Sequence, residues 1–376
     1  MNTTRRSIAL SFAAFLAATS AGAETSFIAN SFYDTAVPMT KYGYIEWGKL
    51  VEELSGGDLK PEVYTGTVLL AARANLQGTQ DNVVQVAHQT AVYTPSEMPV
   101  ANAVQELGFN YSDPTVAIFA VADFSMHNPV QLAEWEKLGL VYLGAYSTLP
   151  YVLMCSSPVR SLEEIKGKRI RTAGSTVSVW VEKAGGIPVN VPSGEMYTGL
   201  ERGTLDCASN TAADLIDRSL WEVAKHTTLV PTGMYWSGPE WGYNAGFWST
   251  LTPDQRSVLM EASARSMARI IINFRQNVDN GIAEAKSRGV NVYEPEGDLM
   301  QSVEAFREET LSSIYETAET KYGVADAKAV IDDFTDTMAK WEALLANVDI
   351  DDEDALTALA LKEIYADIDP ASYGVK

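Results

Sequence analysis

Short apolar runs alternate with helical stretches through most of the first 210 residues, and this alternation restricts the fold more than any other feature. The run Thr25 to Ala29 is strand-like and is followed by a loop, Asn30 to Pro38. An amphipathic helix is predicted from Met39 to Leu54, with Tyr42, Ile45, Leu50 and Leu54 at roughly helical spacing and Gly56-Gly57 closing it. A strand near Leu59 to Tyr64, a helix from Leu69 to Gln77 and a strand from Val83 to Ala87 continue the pattern. Strand and helix in alternation build an α/β architecture around a largely parallel sheet.

A second unit of the same kind begins near Val141. Val141 to Ala145 and Tyr151 to Ser156 read as strands, Leu162 to Ile165 as a short helix, and Arg169 to Thr172 as a strand. A helix from Val177 to Ala184, a strand from Val189 to Val191, a helix from Ser193 to Glu201 and a strand from Thr204 to Ala208 follow. From Thr252 the character changes. Thr252 caps a helix with Pro253 in its first turn, and the periodic pattern runs to about Ser287. After a short strand, Val290 to Tyr293, the chain is helical and acidic over Leu299 to Tyr322, Ala325 to Leu345 and Glu353 to Tyr365.

At 376 residues the chain exceeds the usual size of one domain, so two lobes are expected. The predicted division is lobe 1 over 24–148 with part of 237–277, and lobe 2 over 149–236 with part of 278–376. A helix over 252–287 spans both, and 299–376 forms a helical C-terminal part.

Residues 1–23 read as a signal peptide. Arg5 and Arg6 precede an apolar stretch from Ile8 to about Thr19, and Ala21-Gly22-Ala23 is a small-residue cleavage site. The stretch is shorter than the ~20 residues that span a bilayer. The two arginines fit either a general export signal or a twin-arginine one. No later segment is apolar enough for a span, so an exported protein that is not inserted in a membrane is expected. The net charge of −21 opposes binding to nucleic acid. An anionic ligand would therefore need positive charge supplied locally by its site. Cys155 and Cys207 can pair in an oxidising compartment or remain two small buried thiols.

Signatures of catalysis are scarce. His88, His127 and His226 have no metal-ligand spacing with Cys, Asp or one another. There is no G-x-S-x-G elbow and no phosphate-binding loop, so no enzyme and no cofactor are expected. The basic segment Lys166-Gly167-Lys168-Arg169-Ile170-Arg171 stands out. Arg169 and Arg171 lie two apart on a strand and so share one face. A guanidinium at the end of such a strand suits a carboxylate through paired hydrogen bonds. Equally, both arginines fit a surface role opposite Glu163 and Glu164.

This segment resembles the core motif of the substrate-binding proteins of tripartite ATP-independent periplasmic (TRAP) transporters, the C4-dicarboxylate-binding family. Gly186-Ile187-Pro188-Val189 follows, then Pro192-Ser193-Gly194-Glu195-Met196-Tyr197 and Leu200-Glu201-Arg202-Gly203-Thr204-Leu205-Asp206. Trp248-Ser249-Thr250-Leu251-Thr252-Pro253-Asp254-Gln255 matches the entry to the family's long helix. The order of these pieces carries the likeness over essentially all of the chain after residue 23.

The resemblance implies a two-lobed periplasmic receptor for a small organic acid that hands its ligand to a membrane permease. It implies that Arg171 pairs with the ligand carboxylate, that Asn210 contacts the ligand, and that Arg169 is structural. Phe32, Tyr33 and Gln89 fall at cleft-rim positions by the same analogy, and Thr148 lies in the hinge stretch. Trp236 and Trp241, in an aromatic segment that crosses between lobes, fit either stacking on the ligand or packing of the hinge. The chain departs from sialic-acid-type members. The hinge stretch Ala145 to Tyr151 holds no arginine, and Gly174 stands where those members have asparagine. A second anion clamp is therefore not expected, which favours a monocarboxylate over a dicarboxylate. A receptor for an ATP-driven importer and a secreted α/β enzyme are the alternatives. A homodimer through the C-terminal helices is left open.

Overall fold

The structure, a computed structural model, describes residues 24–375, so the signal-peptide expectation for 1–23 lies outside the described residues. These residues form two sheets. In the first, β1 (Thr25–Ser31) runs parallel to β2 (Leu59–Thr65) and β3 (Val86–Ala87). This sheet also contains β4 (Leu140–Tyr142). The second contains β5 (Val152–Cys155), β6 (Arg169–Thr172), β7 (Ile187–Asn190), β8 (Cys207–Asn210) and β9 (His226–Thr228). The chain then returns to the first sheet as β10 (Gly242–Asn244), antiparallel between β3 and β4. It re-enters the second as β11 (Asn291–Tyr293) beside β9. The strand orders are β2-β1-β3-β10-β4 and β11-β9-β5-β8-β6-β7.

Alternation along the strands sets the two faces of the second sheet. Leu153, Cys155 and Ile170 pack on one side with Trp180, Phe109 and Phe306. Val152, Met154 and Ala208 pack on the other with Met196, Leu200 and Leu215. Cys155 and Cys207 sit directly opposite each other on antiparallel β5 and β8, and the structure joins them as a disulfide.

Two extended segments cross between the sheets side by side. Leu143 N–H donates to Trp241 O, Thr148 N–H to Tyr235 O, and Tyr151 N–H to Gly233 O. A third connection is the helix Pro253–Ser287. Thr252 and Gln255 cap it reciprocally, each side chain accepting a hydrogen bond from the other's backbone N–H. Along one flank it covers the first lobe. Near its C-terminal end, Asn277 donates to Asp217 of the second.

The helix expected over Met39 to Leu54 is interrupted. A π-helical turn, Lys41–Glu46, separates Pro38–Thr40 from Trp47–Leu54. Within that turn Gly43 O accepts the Trp241 indole N–H and Tyr44 donates to Glu240 O. The helix expected from Leu69 is instead a 3-10 turn, Ala72–Ala74, leading into Asn75–Gln80. Between 88 and 140 the chain contributes Pro99–Gln105, Pro114–His127 and Pro129–Lys137, none of which the sequence reading identified. Pro114–His127 is buried on nearly every side, so it lacks the one-sided apolar stripe that reveals a helix. Among the described residues no helix is long and apolar enough to cross a membrane.

Candidate functional site

Arg171 occupies the third position of β6, near the carboxyl end of a strand flanked by parallel β7 and β8. Ligands of open α/β sheets bind there. Its side chain is buried, with the residue only 1% exposed. Nε donates to Val191 O at 3.0 Å, Nη1 to Ser209 O at 3.1 Å, and Nη2 to Tyr93 Oη at 3.3 Å. All three acceptors are neutral. Among the described residues no carboxylate forms an ion pair with Arg171; its direct partners are neutral dipoles, and Asp214 acts on it only through space. That is a costly arrangement unless an anion completes it.

Arg169, two residues earlier on the same face, behaves differently. Its guanidinium grips Asp206 with two hydrogen bonds of 2.9 Å, and its backbone N–H donates to the same carboxylate at 2.8 Å. Asp206 thereby ties the start of β6 to the segment leading into β8. Its carboxyl is held below the usual range, first by the Arg169 hydrogen bonds.

The first lobe closes over Arg171. Tyr93 Oη accepts from both Arg171 and the backbone N–H of Ser193, the latter at 3.1 Å. Gly174, at φ +80°, lies so close to Val92 that a Cβ there would sit 2.8 Å from Val92 Cγ1. Between the lobes a cavity of about 20 Å³ remains, room for roughly one water. Its walls include Tyr33, Tyr93, Thr148, Tyr151, Arg171, Asn210, Asp214 and Arg218.

Four of the expected site residues therefore meet at one place: Arg171, Asn210, Tyr33 and Thr148. Asn210 ends β8, with Oδ1 accepting from Thr211 N–H and Nδ2 3.6 Å from Met196 Sδ. Thr148 sits in the hinge, its Oγ1 accepting from Tyr235 N–H at 2.9 Å. The others are not brought to the cavity. Phe32 packs behind its wall, with ring centroids 4.2 Å from Tyr33 and 5.3 Å from His88. Gln89 donates to Thr79 Oγ1 and Asn75 O inside the first lobe. Trp236 is fully buried against Tyr111 and Phe334. Trp241 stacks on Trp47 and donates to Gly43 O. Of the two readings of the aromatic segment, these contacts match hinge packing.

The sequence reading missed Tyr93, Tyr151, Asp214 and Arg218. The expectation that no second anion clamp is present looked only at the hinge, and a second arginine does line the cavity, although acidic neighbours already accompany it. Arg218 arrives from the segment after β8, with its side chain 6% exposed. It differs from Arg171 in having acidic company. Nε lies 3.2 Å from Asp214 Oδ1, although its N–H is not aimed at that oxygen, and Nη1 reaches Asp34 Oδ2 at 3.4 Å. Its guanidinium carbon is 5.3 Å from the Tyr33 ring centre. Burial raises the Asp214 carboxyl, against the pull of Arg218 and Arg171. The one sequence cue was the four-residue spacing of Asp214 and Arg218, which does not say which way the pair faces.

Beneath the cavity wall His88 and Glu240 form a fully buried pair, Nδ1 to Oε2 at 2.8 Å, with Thr90 Oγ1 3.0 Å from the other ring nitrogen. Burial raises the Glu240 carboxyl, opposed by His88. The imidazole is enclosed by the Tyr33, Phe32 and Tyr146 rings, so the pair supports the wall from behind.

Two α/β lobes, paired crossing strands, a helix bridging both and an arginine in the cleft describe a two-lobed solute-binding architecture. Solved structures share it. A TRAP periplasmic solute-binding protein from Desulfovibrio salexigens matches with a TM-score of 0.70 at 22% identity, covering 87% of this chain and 99% of that one. A marine metagenome TRAP solute-binding protein specific for aromatic acid ligands, in complex with metahydroxyphenylacetate, matches with a TM-score of 0.75 at 18% identity, covering 85% and 100%. The family model for bacterial extracellular solute-binding protein, family 7 (DctP), matches residues 36–319, and the chain belongs to that family. A curated relative, a solute-binding protein of Albidiferax ferrireducens, is 28% identical over 218 residues. That match spans 57% of this chain and 63% of the relative, less than two thirds of its length.

Proposed function

We propose that this chain is the periplasmic receptor of a TRAP transporter, closing around a small organic monocarboxylate and delivering it to a membrane permease. The observation that carries this reading is Arg171, a buried guanidinium with three neutral partners and no carboxylate. A ligand carboxylate would supply the missing charge. Tyr93 assists, because its oxygen already accepts two hydrogen bonds and its own O–H is left to donate. Arg218 adds less net attraction, since Asp214 and Asp34 offset it. One cation without a direct ion pair therefore favours one carboxylate over two.

The size of the cavity supports a closure mechanism. At about 20 Å³ it admits no organic acid from solution while closed, so the lobes must part for entry. Ligand contacts to both lobes exist only when closed, and binding shifts the population that way. Closure also removes water from around the Arg171 pair and strengthens it. The aromatic-acid-binding neighbour supports a ligand with a ring, as does the wall of Tyr33, Tyr93 and Tyr151.

Thermal shift of the processed protein against a panel of organic acids, repeated with Arg171→Ala, tests this. An acid at 100 times its Kd stabilises the fold by about 2.7 kcal/mol in the wild type. The variant should lose that response. An equal response in the variant, or none to any acid in the wild type, would refute the assignment.

A further inference from the structure

Arg171 accounts for one end of a ligand; Asp214 points to the other. Asp214 lines the same cavity, and its side chain is 5% exposed. One carboxylate oxygen, Oδ1, faces Arg218. The other, Oδ2, is buried and has no hydrogen-bond partner among the described residues. Arg218 does not serve both oxygens, because its remaining reach goes to Asp34 and the Tyr33 ring. A buried carboxylate oxygen without a donor is destabilising, and such oxygens in native proteins nearly always find one. An oxygen that accepts only is satisfied by a donor, and in a cleft built to receive a ligand that donor is an N–H or O–H group of the ligand. A nitrogen donor is favoured over a hydroxyl by charge. Arg218 and Arg171 pull the Asp214 carboxyl toward its charged form against burial, and an ammonium or polarised amide N–H brought to Oδ2 would add to that pull.

We propose that the cleft reads a nitrogen as well as a carboxylate. Its ligand is a compact organic acid bearing an N–H donor, with the carboxylate on Arg171 and the N–H on Asp214 Oδ2. This rests on the carboxylate-receptor reading above and narrows it from organic acids in general to amino or amide acids. It also gives the Asp214–Arg218 pair a purpose in specificity. Arg218 orients Asp214 and opposes the protonation that burial favours, and an acid lacking the donor would leave Oδ2 desolvated and unmatched once the lobes close. Sites that hydrogen-bond a substrate N–H reject isosteres lacking it much more strongly than apolar sites reject a missing methylene.

Calorimetric titration with two matched pairs tests the proposal, each exchanging ring nitrogen for oxygen, the first pair with the ammonium charge and the second without it. Pyrrolidine-2-carboxylate is set against tetrahydrofuran-2-carboxylate, and 5-oxopyrrolidine-2-carboxylate against 5-oxotetrahydrofuran-2-carboxylate. At least one N–H acid should bind about tenfold or more tighter than its oxygen isostere, the ratio given by one charge-assisted hydrogen bond. Asp214→Asn should shrink that preference to about threefold or less while Arg171→Ala removes binding of both members. The wild-type comparison stands even if Asp214→Asn fails to fold. Equal binding within each pair, or a preference for the oxygen acids, would overturn the nitrogen reading and leave the carboxylate receptor intact. If a wider acid panel, with and without nitrogen, gives no binding to the wild type, both readings fall together.

Discussion

Gly174→Ala separates what holds the lobes together from what holds each lobe up. Gly174 opens the helix Gly174–Lys183 directly after β6, at φ +80°. An alanine there incurs two distinct costs. The left-handed backbone costs about 1–2 kcal/mol in any conformation of the protein. The new Cβ would lie 2.8 Å from Val92 Cγ1, well inside the ~3.5–4.0 Å at which carbon atoms attract. Val92 belongs to the turn after β3 in the other lobe, and a β-branched side chain has little freedom to turn away. This overpacking costs about 1–3 kcal/mol, and only when the lobes are closed. Melting of the ligand-free variant should therefore fall by a few degrees. Affinity for the acid found in the thermal-shift panel should weaken about 5- to 150-fold, following the closed-state cost alone. Val92→Ala removes the offending methyl, so the double variant should recover most of the affinity but not the melting temperature. The coupling between the two sites, read from a double-mutant cycle in Kd, should exceed about 1 kcal/mol. Unchanged affinity in Gly174→Ala, or a coupling indistinguishable from zero, would show that this contact does not belong to the closed state.

Two further predictions concern residues outside the cavity. Arg169→Ala should lower the melting temperature only slightly, because its pair with Asp206 is partly exposed, and should leave ligand affinity within about twofold of wild type; a binding loss matching Arg171→Ala would contradict the division of labour along β6. Glu106 accepts from Thr176 Oγ1 at 2.6 Å and Lys321 Nζ at 2.8 Å, and also from the Ser175 and Tyr322 hydroxyls. Burial alone would raise its carboxyl, yet Lys321 and the hydroxyl donors outweigh this and hold it below its ordinary 4.5. Its folded-state value being depressed, its contribution is complete above about pH 4.5 and is lost as the pH falls through the lowered value. Glu106→Gln should thus destabilise by about 1–3 kcal/mol at pH 7, with the gap to wild type narrowing in acid; a gap independent of pH in urea titrations from pH 7 to 3 would refute the account.

The strand starts near Thr25, Leu59 and Arg169, the capped entry to the long helix and the acidic helical C-terminal part were all legible in the sequence. Each depends on local signals: short apolar runs, glycine stops, and a Thr-Pro-x-Gln cap that acts within one turn. The ordered motif from Lys166 to Asp206 also marked Arg171 as the residue to watch. What stayed hidden was non-local. Pro114–His127 is buried all round and shows no stripe, and β10 has only three residues placed by strands far from it in the chain.

The tertiary structure alone decided which residues share the cleft. Arg169 and Arg171 are alike in sequence and lie on one face of one strand. They part because Asp206 reaches the first while only neutral oxygens reach the second. For Trp236 and Trp241 the sequence left ligand stacking and hinge packing open, and partners distant in the chain bury both rings in packing. Asp214, Arg218 and Tyr93 gave no local signal of function, and only lobe closure brings them round one cavity. Sequence determines elements because capping, turn chemistry and periodicity act over a few residues. The cavity between the two lobes is set by contacts such as Arg171–Tyr93 and Arg218–Asp34, 78 and 184 positions apart, and no local pattern encodes which charges end up paired.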